Sequence, residues 1–246
     1  MTIDRTAESE HAPRAFETTH WSLVLSARHR SSPDAQQALC ELCEKYWYPL
    51  YAYVRRRIPD VHEAQDLTQA FFAKFLEKNW VAQADPERGK FRTFLLTSFS
   101  HFLANEWDKS RAKKRGGDRF HFSLDFDDGE RRLARNPATD LTAEHEYERQ
   151  WAISLLGQAL NSLRCEAVAA GKQQQFEALK ECLTGDRGRS YAEIAEQLTM
   201  SETAVKTAVH RLRRQYGRRL RKAIAETVAD PSDVDEEIGR LFRALS

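Results

Sequence analysis

Apolar side chains recur every three or four residues along most of this chain, the spacing that predicts amphipathic α-helices. Between residues 18 and 111 this pattern predicts four helices. The first of them carries on one side Trp21, Val24 and Leu25. The second begins with Ser32 as its cap and Pro33 in its first turn. Pro49 is expected to bend or divide this helix, because proline has no amide hydrogen to donate.

The next two helices bring together most of the aromatic residues of this region. Asp60, followed three residues later by Glu63, predicts the start of the third helix. Its inward residues are Leu67, Phe71 and Phe75. After the loop VAQADPERGK, the fourth helix has a broad apolar stripe of Phe91, Phe94, Leu95, Phe99, Phe102 and Leu103. These helices are expected to share one buried core.

The helical period is lost between residues 112 and 142, where Gly-Gly and Asn-Pro predict a linker. An acidic cluster lies in it, formed by Asp125, Asp127, Asp128 and Glu130. The period returns afterwards and predicts a second helical domain. We therefore expect an all-α protein with a flexible N-terminus over 1–17, a first domain over 18–111, a linker over 112–142, a second domain over 143–226 and a C-terminal extension over 227–246.

The second domain contains two short helices joined by a tight turn. Ser190 and Glu193 form a capping box that opens the first of these helices. Thr199 and Met200 make the turn, and Ser201 caps the second helix. The inward stripe of that helix is Val205, Val209, Leu212 and Tyr216. Two helices in this arrangement are the sequence form of a helix-turn-helix.

The opposite side of the second helix is polar and basic. Its candidate DNA-binding residues are Thr203, Lys206, Thr207, His210, Arg211, Arg213, Arg214 and Arg218. Residues on the first turns of such a helix meet base edges in the major groove, and arginines farther along approach phosphates. The alternative is an exposed basic face with no binding role. The capped start, the turn and the apolar stripe together favour DNA binding.

The whole chain is nearly neutral, since its 246 residues include 38 Lys and Arg and 37 Asp and Glu. The positive charge is therefore concentrated on this helix. The low content of Gly and Pro, 10 and 7 residues, suits a helical protein. No apolar run of about 18 residues is present and the N-terminus has no apolar signal segment, so a cytoplasmic protein without a membrane partner is expected.

The sequence offers little for catalysis or for a cofactor. Cys40 and Cys43 have the spacing of half a zinc or redox site, but no second Cys or His pair follows, and reduced core cysteines are the alternative. No Ser/His/Asp set and no Gly-rich phosphate loop is present. We expect no metal, no cofactor and no enzymatic activity.

Three segments together resemble bacterial RNA polymerase sigma factors of the extracytoplasmic-function (ECF) type, and the resemblance covers residues 35 to 225. SYAEIAEQLTMSETAVKTAVHRLRR is similar to the helix-turn-helix of region 4. HEAQDLTQAFFAKFL is similar to region 2.2, and KFRTFLLTSFSHFLANEWDKSRAKKR to regions 2.3 and 2.4. Each motif alone is moderately specific, whereas three in the family order form a strong signal.

The resemblance implies roles for residues of both domains. Docking on the β′ clamp helices of core RNA polymerase is implied for Glu63, Asp66, Gln69 and Lys74. Capture of the minus-ten element of promoter DNA is implied for Lys90, Arg92, His101, Asn105, Lys109 and Arg111. Trp107 is expected to be part of the core rather than a wedge that opens the duplex. The acidic linker is implied to enter the basic cleft of the polymerase, and the β subunit is a further implied partner.

Two positions depart from the usual family pattern. His101 stands where many relatives have Asn, and Ala208 stands where many carry a basic residue. The promoter preference of the family is therefore not transferred to this chain. A free-standing helix-turn-helix regulator that acts without the polymerase is the main alternative, and a non-DNA adaptor and a nuclease are others.

The tail is longer than region 4 usually is, and it has a pattern of its own. Asp230 before Pro231 predicts the start of a short helix up to residue 245. Its apolar positions are Val234, Ile238, Leu241, Phe242 and Leu245. This helix either completes the core of the second domain, or shields the basic helix or docks on the first domain and restrains promoter binding. An anti-sigma factor is the other candidate regulator.

Overall fold

The computed structural model describes residues 21–28, 33–112, 124–135, 141–183 and 189–246. Over these ranges the protein is all-α, with ten α-helices, four short 3₁₀ segments and no strand, which confirms the predicted fold class. The helices are α1 Trp21–Ala27, α2 Pro33–Arg57, α3 Val61–Glu77, α4 Phe91–Ala112, α5 Phe126–Arg135, α6 Ala143–Ala169, α7 Gln173–Leu179, α8 Tyr191–Leu198, α9 Glu202–Ala225 and α10 Val234–Leu245. The predicted flexible N-terminus and the Ser32 cap lie outside the described residues.

Helix α2 forms the centre of the first core. Each residue from Tyr48 through Val54 is buried, so this stretch is enclosed on all sides by other helices. Of the two outcomes expected for Pro49, a bend or a division, the division does not occur, because α2 runs unbroken from residue 33 to residue 57. Packing around α2 outweighs the cost of about 3 kcal/mol that an interior proline carries.

The aromatic residues of α3 and α4 meet around Phe71. Its ring centroid lies 4.7 Å from that of Phe99 and 5.7 Å from that of Phe102. The predicted inward stripe of α4 is buried, apart from the half-buried Phe94. On α1 the prediction is only partly confirmed, because Val24 is fully buried whereas Leu25 is 39% exposed.

The predicted linker contains a helix that sequence analysis did not identify. Phe126 of α5 packs its ring against Trp47 and Tyr51 of α2, at centroid distances of 5.7 and 5.0 Å. Gly129 allows this close approach, since a Cβ atom there would lie 3.2 Å from the Trp47 ring. A helix of ten residues with an internal glycine and few apolar side chains is too short to be predicted from its own sequence.

Helix α6 belongs to two hydrophobic cores, so the structure does not divide at residue 143 as the predicted domains do. Its residues from Ala143 to Ala159 join the core of α1 to α4. Leu163 belongs to the second core, together with Phe176 of α7 and Ile194 of α8. At 27 residues, α6 is about 40 Å long and reaches both cores.

The tail forms the predicted helix, preceded by a 3₁₀ turn at Pro231–Asp233 that Asp230 caps. Val234 and Leu241 are buried in the first core, so α10 does not complete the second core. Phe242, predicted to face inward, is 55% exposed. Instead Glu237 occupies a fully buried position.

The contact of α5 with α2 can be tested at its glycine. Gly129→Val is expected to lower the free energy of unfolding by about 1–3 kcal/mol, because the added atoms overlap the Trp47 and Tyr51 rings. Gly157→Val in α6 is the matched control, since a Cβ atom there meets nothing within 4 Å. Chemical denaturation measures both, and equal stability of the two variants would contradict close packing of α5.

Candidate nucleic-acid interface

The helix-turn-helix forms as its capping residues predict. The Ser190 hydroxyl accepts the Glu193 amide at 3.2 Å, and the Glu193 carboxylate accepts the Ser190 amide at 2.6 Å, which completes the capping box. Thr199 ends α8 in the left-handed conformation, with φ 53° and ψ 46°. Ser201 then caps α9 by accepting the Ala204 amide at 3.2 Å. The short turn therefore fixes α9 relative to α8.

Helix α9 has one buried side and one exposed polar side. Val205, Val209 and Leu212 pack in the second core. The side chains on the other side are exposed: Thr203, Lys206, Thr207, His210, Arg211, Arg214 and Arg218. Lys206 forms an ion pair with Glu202 at 2.9 Å, but both side chains are more than half exposed. Such a pair contributes little stability, and it leaves Lys206 able to exchange this partner for a phosphate.

Arg213, predicted to bind DNA, is also exposed, and it makes a contact within the second domain that the sequence did not predict. Its Nε and Nη2 atoms donate to the backbone carbonyl of Cys182 at 3.1 and 2.7 Å. This carbonyl belongs to the 3₁₀ turn Lys180–Cys182 after α7. Arg213 therefore ties α9 to the preceding helical turn, because a charged donor satisfies a carbonyl that the turn leaves open.

The outer face of α4 presents a second set of candidate residues. His101 and Asn105 lie four residues apart and are both exposed. Trp107 is 36% exposed, so its predicted place in the core is wrong. Lys109 and Arg111 lie on α4 according to its bounds, but their side chains fall outside the described part of the structure.

Lys90 and Arg92 do not share that outer face. Nine residues separate Arg92 from His101, which amounts to two and a half helical turns and places the two on opposite sides of α4. Arg92 is 4% exposed, and its guanidinium forms ion pairs with Glu148 of α6 and Glu237 of α10. Lys90 also forms an ion pair with Glu237. The predicted minus-ten contact of Arg92 is thus replaced by an internal role.

Sequence reasoning missed Glu148 and Glu237 as partners of these cations. Both are acids within helices, and a sequence shows no difference between a carboxylate that faces water and one that meets a distant arginine. The only available signal was that Glu237 falls three residues after Val234 and four before Leu241, on the apolar side of the tail helix.

The predicted polymerase-docking residues on α3 divide into two groups. Glu63 and Asp66 are exposed, and Gln69 is half-buried beside them. Lys74 instead faces α4, where its Nζ lies 3.2 Å from the Glu106 carboxylate and 5.3 Å from the centroid of the Phe102 ring. Lys74 therefore contributes to packing between α3 and α4.

The acidic cluster of the predicted linker is also divided. Glu130 accepts hydrogen bonds from Arg55 Nε at 2.8 Å and from the Tyr51 hydroxyl at 2.7 Å. The hydrogen bond from Arg55 is the main cause that holds the pKa of Glu130 below its usual range. Asp125 and Asp127 are exposed, and the Asp125 carboxylate accepts the Asp128 amide at 2.9 Å at the start of α5.

The described residues include no group of three or more His, Cys, Asp or Glu side chains that could hold a metal ion. Cys43 is buried in the first core, where burial raises the pKa of its thiol, and Cys40 is exposed one turn away. In the ranges that the structure covers, no helix is long and apolar enough to cross a membrane.

Two family models match the chain at the positions of these surfaces. Residues 42–113 match Sigma-70 region 2, which covers the second half of α2 together with α3 and α4. Residues 187–215 match Sigma-70, region 4, which covers α8 and the first half of α9. Helix α10 lies outside both matches. No curated protein and no solved structure matches the chain.

The structural role of Arg213 leads to a direct comparison with its neighbour. Arg213→Ala is expected to lower the free energy of unfolding by about 1–2 kcal/mol, because the Cys182 carbonyl loses two charged donors. Arg214→Ala, one residue later on the exposed side, is expected to stay within about 0.5 kcal/mol. Chemical denaturation distinguishes the two, and equal losses would show that the bonds of Arg213 carry no stability.

Proposed function

We propose that this chain, which belongs to the sigma-70 family and is a sigma factor of the ECF type, reads the minus-thirty-five duplex with α9 and opens the minus-ten element with α4. As a sigma factor it acts in promoter recognition and in binding RNA polymerase. The observation that supports the reading of promoter DNA is the exposed polar face of α9, which the helix-turn-helix holds outside the second core.

The minus-thirty-five duplex is read in its major groove. Thr203, Thr207 and His210 lie on the first turns of α9, where hydroxyl and imidazole groups meet base edges. Arg211, Arg214 and Arg218 follow along the helix and neutralise phosphates, which releases counterions and supplies affinity for any sequence. Arg213 takes no part in this contact, since it holds the Cys182 carbonyl.

The minus-ten element is bound as a single strand on the outer face of α4. His101 and Asn105 supply hydrogen-bonding groups, and the exposed ring of Trp107 offers a surface on which a base stacks. Lys109 and Arg111 contribute charge for the strand backbone, as the resemblance implies. Arg92 is omitted because it is internal.

Core polymerase binds the exposed side of α3. Glu63 and Asp66 present two carboxylates and Gln69 an amide toward the β′ clamp helices. The β subunit contacts region 4, and the exposed acids Asp125 and Asp127 lie toward the nucleic-acid path. The protein acts in the cytoplasm, requires no cofactor and performs no catalysis of its own.

Reconstitution with core RNA polymerase tests this function. The chain is expected to confer transcription from defined start sites on promoter DNA, and Asp66→Lys is expected to reduce core binding because it reverses a charge on the docking face. Asp34→Lys, an exposed reversal on α2 outside the matched region, is the control. A palindromic footprint of the chain alone, without any polymerase-dependent start, would identify a free-standing regulator instead.

The contact of α9 with phosphates predicts a specific dependence on salt. Lys206→Gln is expected to weaken binding to a minus-thirty-five duplex and to lower the slope of log affinity against log salt by about one. Arg164→Gln on the exposed side of α6 removes the same charge away from α9 and is expected to leave the slope unchanged. Fluorescence anisotropy titrations at several salt concentrations measure both, and an unchanged slope for Lys206→Gln would exclude its phosphate contact.

A further inference from the structure

Helix α10 carries a fully buried carboxylate to the start of α4, within the part of the chain that matches region 2. The Glu237 side chain has no exposed surface, and its oxygens form ion pairs with Lys90 and Arg92, at the start of α4. Arg240 lies on the same side of α10, 3.7 Å from this carboxylate. A carboxylate at this depth is stable only while its cations remain in place, because an unpaired buried charge is costly.

Arg92 is the point at which three helices meet. Its guanidinium lies 3.9 Å from the centroid of the Trp151 ring and donates through Nε to Glu148 at 3.0 Å, so two residues of α6 hold it. The backbone carbonyl of Arg92 accepts the Tyr147 hydroxyl at 3.0 Å. Glu237 completes the set from α10. Region 2, α6 and the tail are thereby joined by one cation.

The charges in this set are mutually compensated. Burial alone would raise the pKa of Glu237, but the positive charges of Arg92 and Lys90 outweigh it, so its pKa is lowered. Burial alone would lower the pKa of Arg92, but Glu148 and Glu237 raise it. Each group is therefore held in its charged form by the others, and separation of α10 from α4 exposes all of them to water.

Helix α10 also contacts the last turns of α9, beyond the half of that helix that is proposed to read DNA. Asp235 accepts from Arg221 at 2.6 Å, which links α10 to the last turns of α9. Val234 and Leu241 are buried in the first core beside Leu220 and Ile224 of α9. One helix of twelve residues thus binds region 2, α6 and the end of α9 at the same time.

In this structure the two proposed DNA-binding surfaces lie too close together to contact both promoter elements at once. Elements centred near positions minus thirty-five and minus ten are about 25 base pairs apart, which at 3.4 Å per base pair is about 85 Å. The start of α4 and the DNA-reading half of α9 both pack against α6, whose length is about 40 Å. The stretch of α4 from its start to Trp107 adds at most about 24 Å, so the two DNA-binding surfaces remain closer together than the two promoter elements. Simultaneous contact with both elements therefore requires the two regions to separate.

We propose that α10 is an intramolecular clasp that, together with the packing of α6 in both cores, holds the sigma factor in a closed resting state. Glu237 is the residue that locks this clasp. Core polymerase binds the open form, so that each closed molecule must release α10 before it initiates transcription. Closure lowers the apparent affinity for core polymerase in proportion to the fraction of open molecules. This inference rests on the proposed reading of two promoter elements, and it assigns the tail a role that neither matched region contains.

The test measures the separation of the two regions in the full chain. Spectroscopic labels on unnatural amino acids are placed at Gln36 of α2 and Glu196 of α8, two exposed positions, and the distance between them is recorded in the free protein. Wild-type protein is expected to give one short distance, and addition of core polymerase a longer one. Glu237→Gln is expected to raise the ratio of open to closed molecules by at least about tenfold, since it removes the charge that Arg92 and Lys90 require.

Glu236→Gln is the matched control, because it removes the same charge one residue earlier at an exposed position. Among the described residues, the ion-pair partner of Glu236 is Arg240 on the same helix. Its distance distribution is expected to equal that of the wild type. Glu237→Gln with a wild-type distribution would overturn the clasp, as would a free wild-type protein that is already extended. Helical content by circular dichroism verifies that each variant is folded.

Truncation after Thr227 keeps the inference testable if Glu237→Gln fails to fold, since it removes α10 and leaves both matched regions. Since α6 still packs in both cores, the truncated chain is expected to show a larger fraction of the longer distance than the wild type without polymerase. A truncated chain with the wild-type distribution would refute the role of α10. These distances require no promoter and no transcription. If the proposed function is wrong, no transcription starts appear, whereas if the clasp is wrong, the distances do not change. The two failures are therefore distinguishable.

Discussion

The buried guanidinium of Arg92 determines how several helices of this protein pack together. Arg92 belongs to the segment that sequence analysis assigned to the DNA interface, yet it lies among the Trp151 ring, Glu148 and Glu237 with 4% of its surface exposed. Burying a guanidinium is favourable only where carboxylates and hydrogen bonds replace its hydration. Because those partners come from α6 and α10, the positions of three helices depend on one side chain.

Helix α6 extends this dependence to the second half of the chain. Its first half packs with α2 and α4, and its second half packs with α7 and α9. The Tyr216 hydroxyl of α9 donates to the Leu156 carbonyl at 3.3 Å, and Arg219 forms an ion pair with Glu166. A boundary between domains placed at residue 143 therefore falls at the start of the helix that joins the two cores.

The success of sequence analysis varied with the range of the interactions involved. Caps, turns and apolar stripes are local, so the capping box at Ser190, the cap at Ser201 and the stripe from Val205 to Leu212 were predicted correctly. The roles of Arg92, Lys74 and Arg213 depend on partners that lie 31 to 145 residues away, and nothing near them in the chain indicates those partners. The short helix α5 was missed for the same reason, since Trp47 and Tyr51 stabilise it from α2.

Helix α9 is a single rigid rod, and its two ends lie in different environments. Its first half presents the polar face beside the second core, whereas Leu220 and Ile224, near its other end, are buried in the first core. Helix α9 is continuous over 24 residues, so a movement of one end also moves the other end. Under the proposed function, any difference in DNA affinity between two packing states of the last turns must shift the packing equilibrium by the same factor.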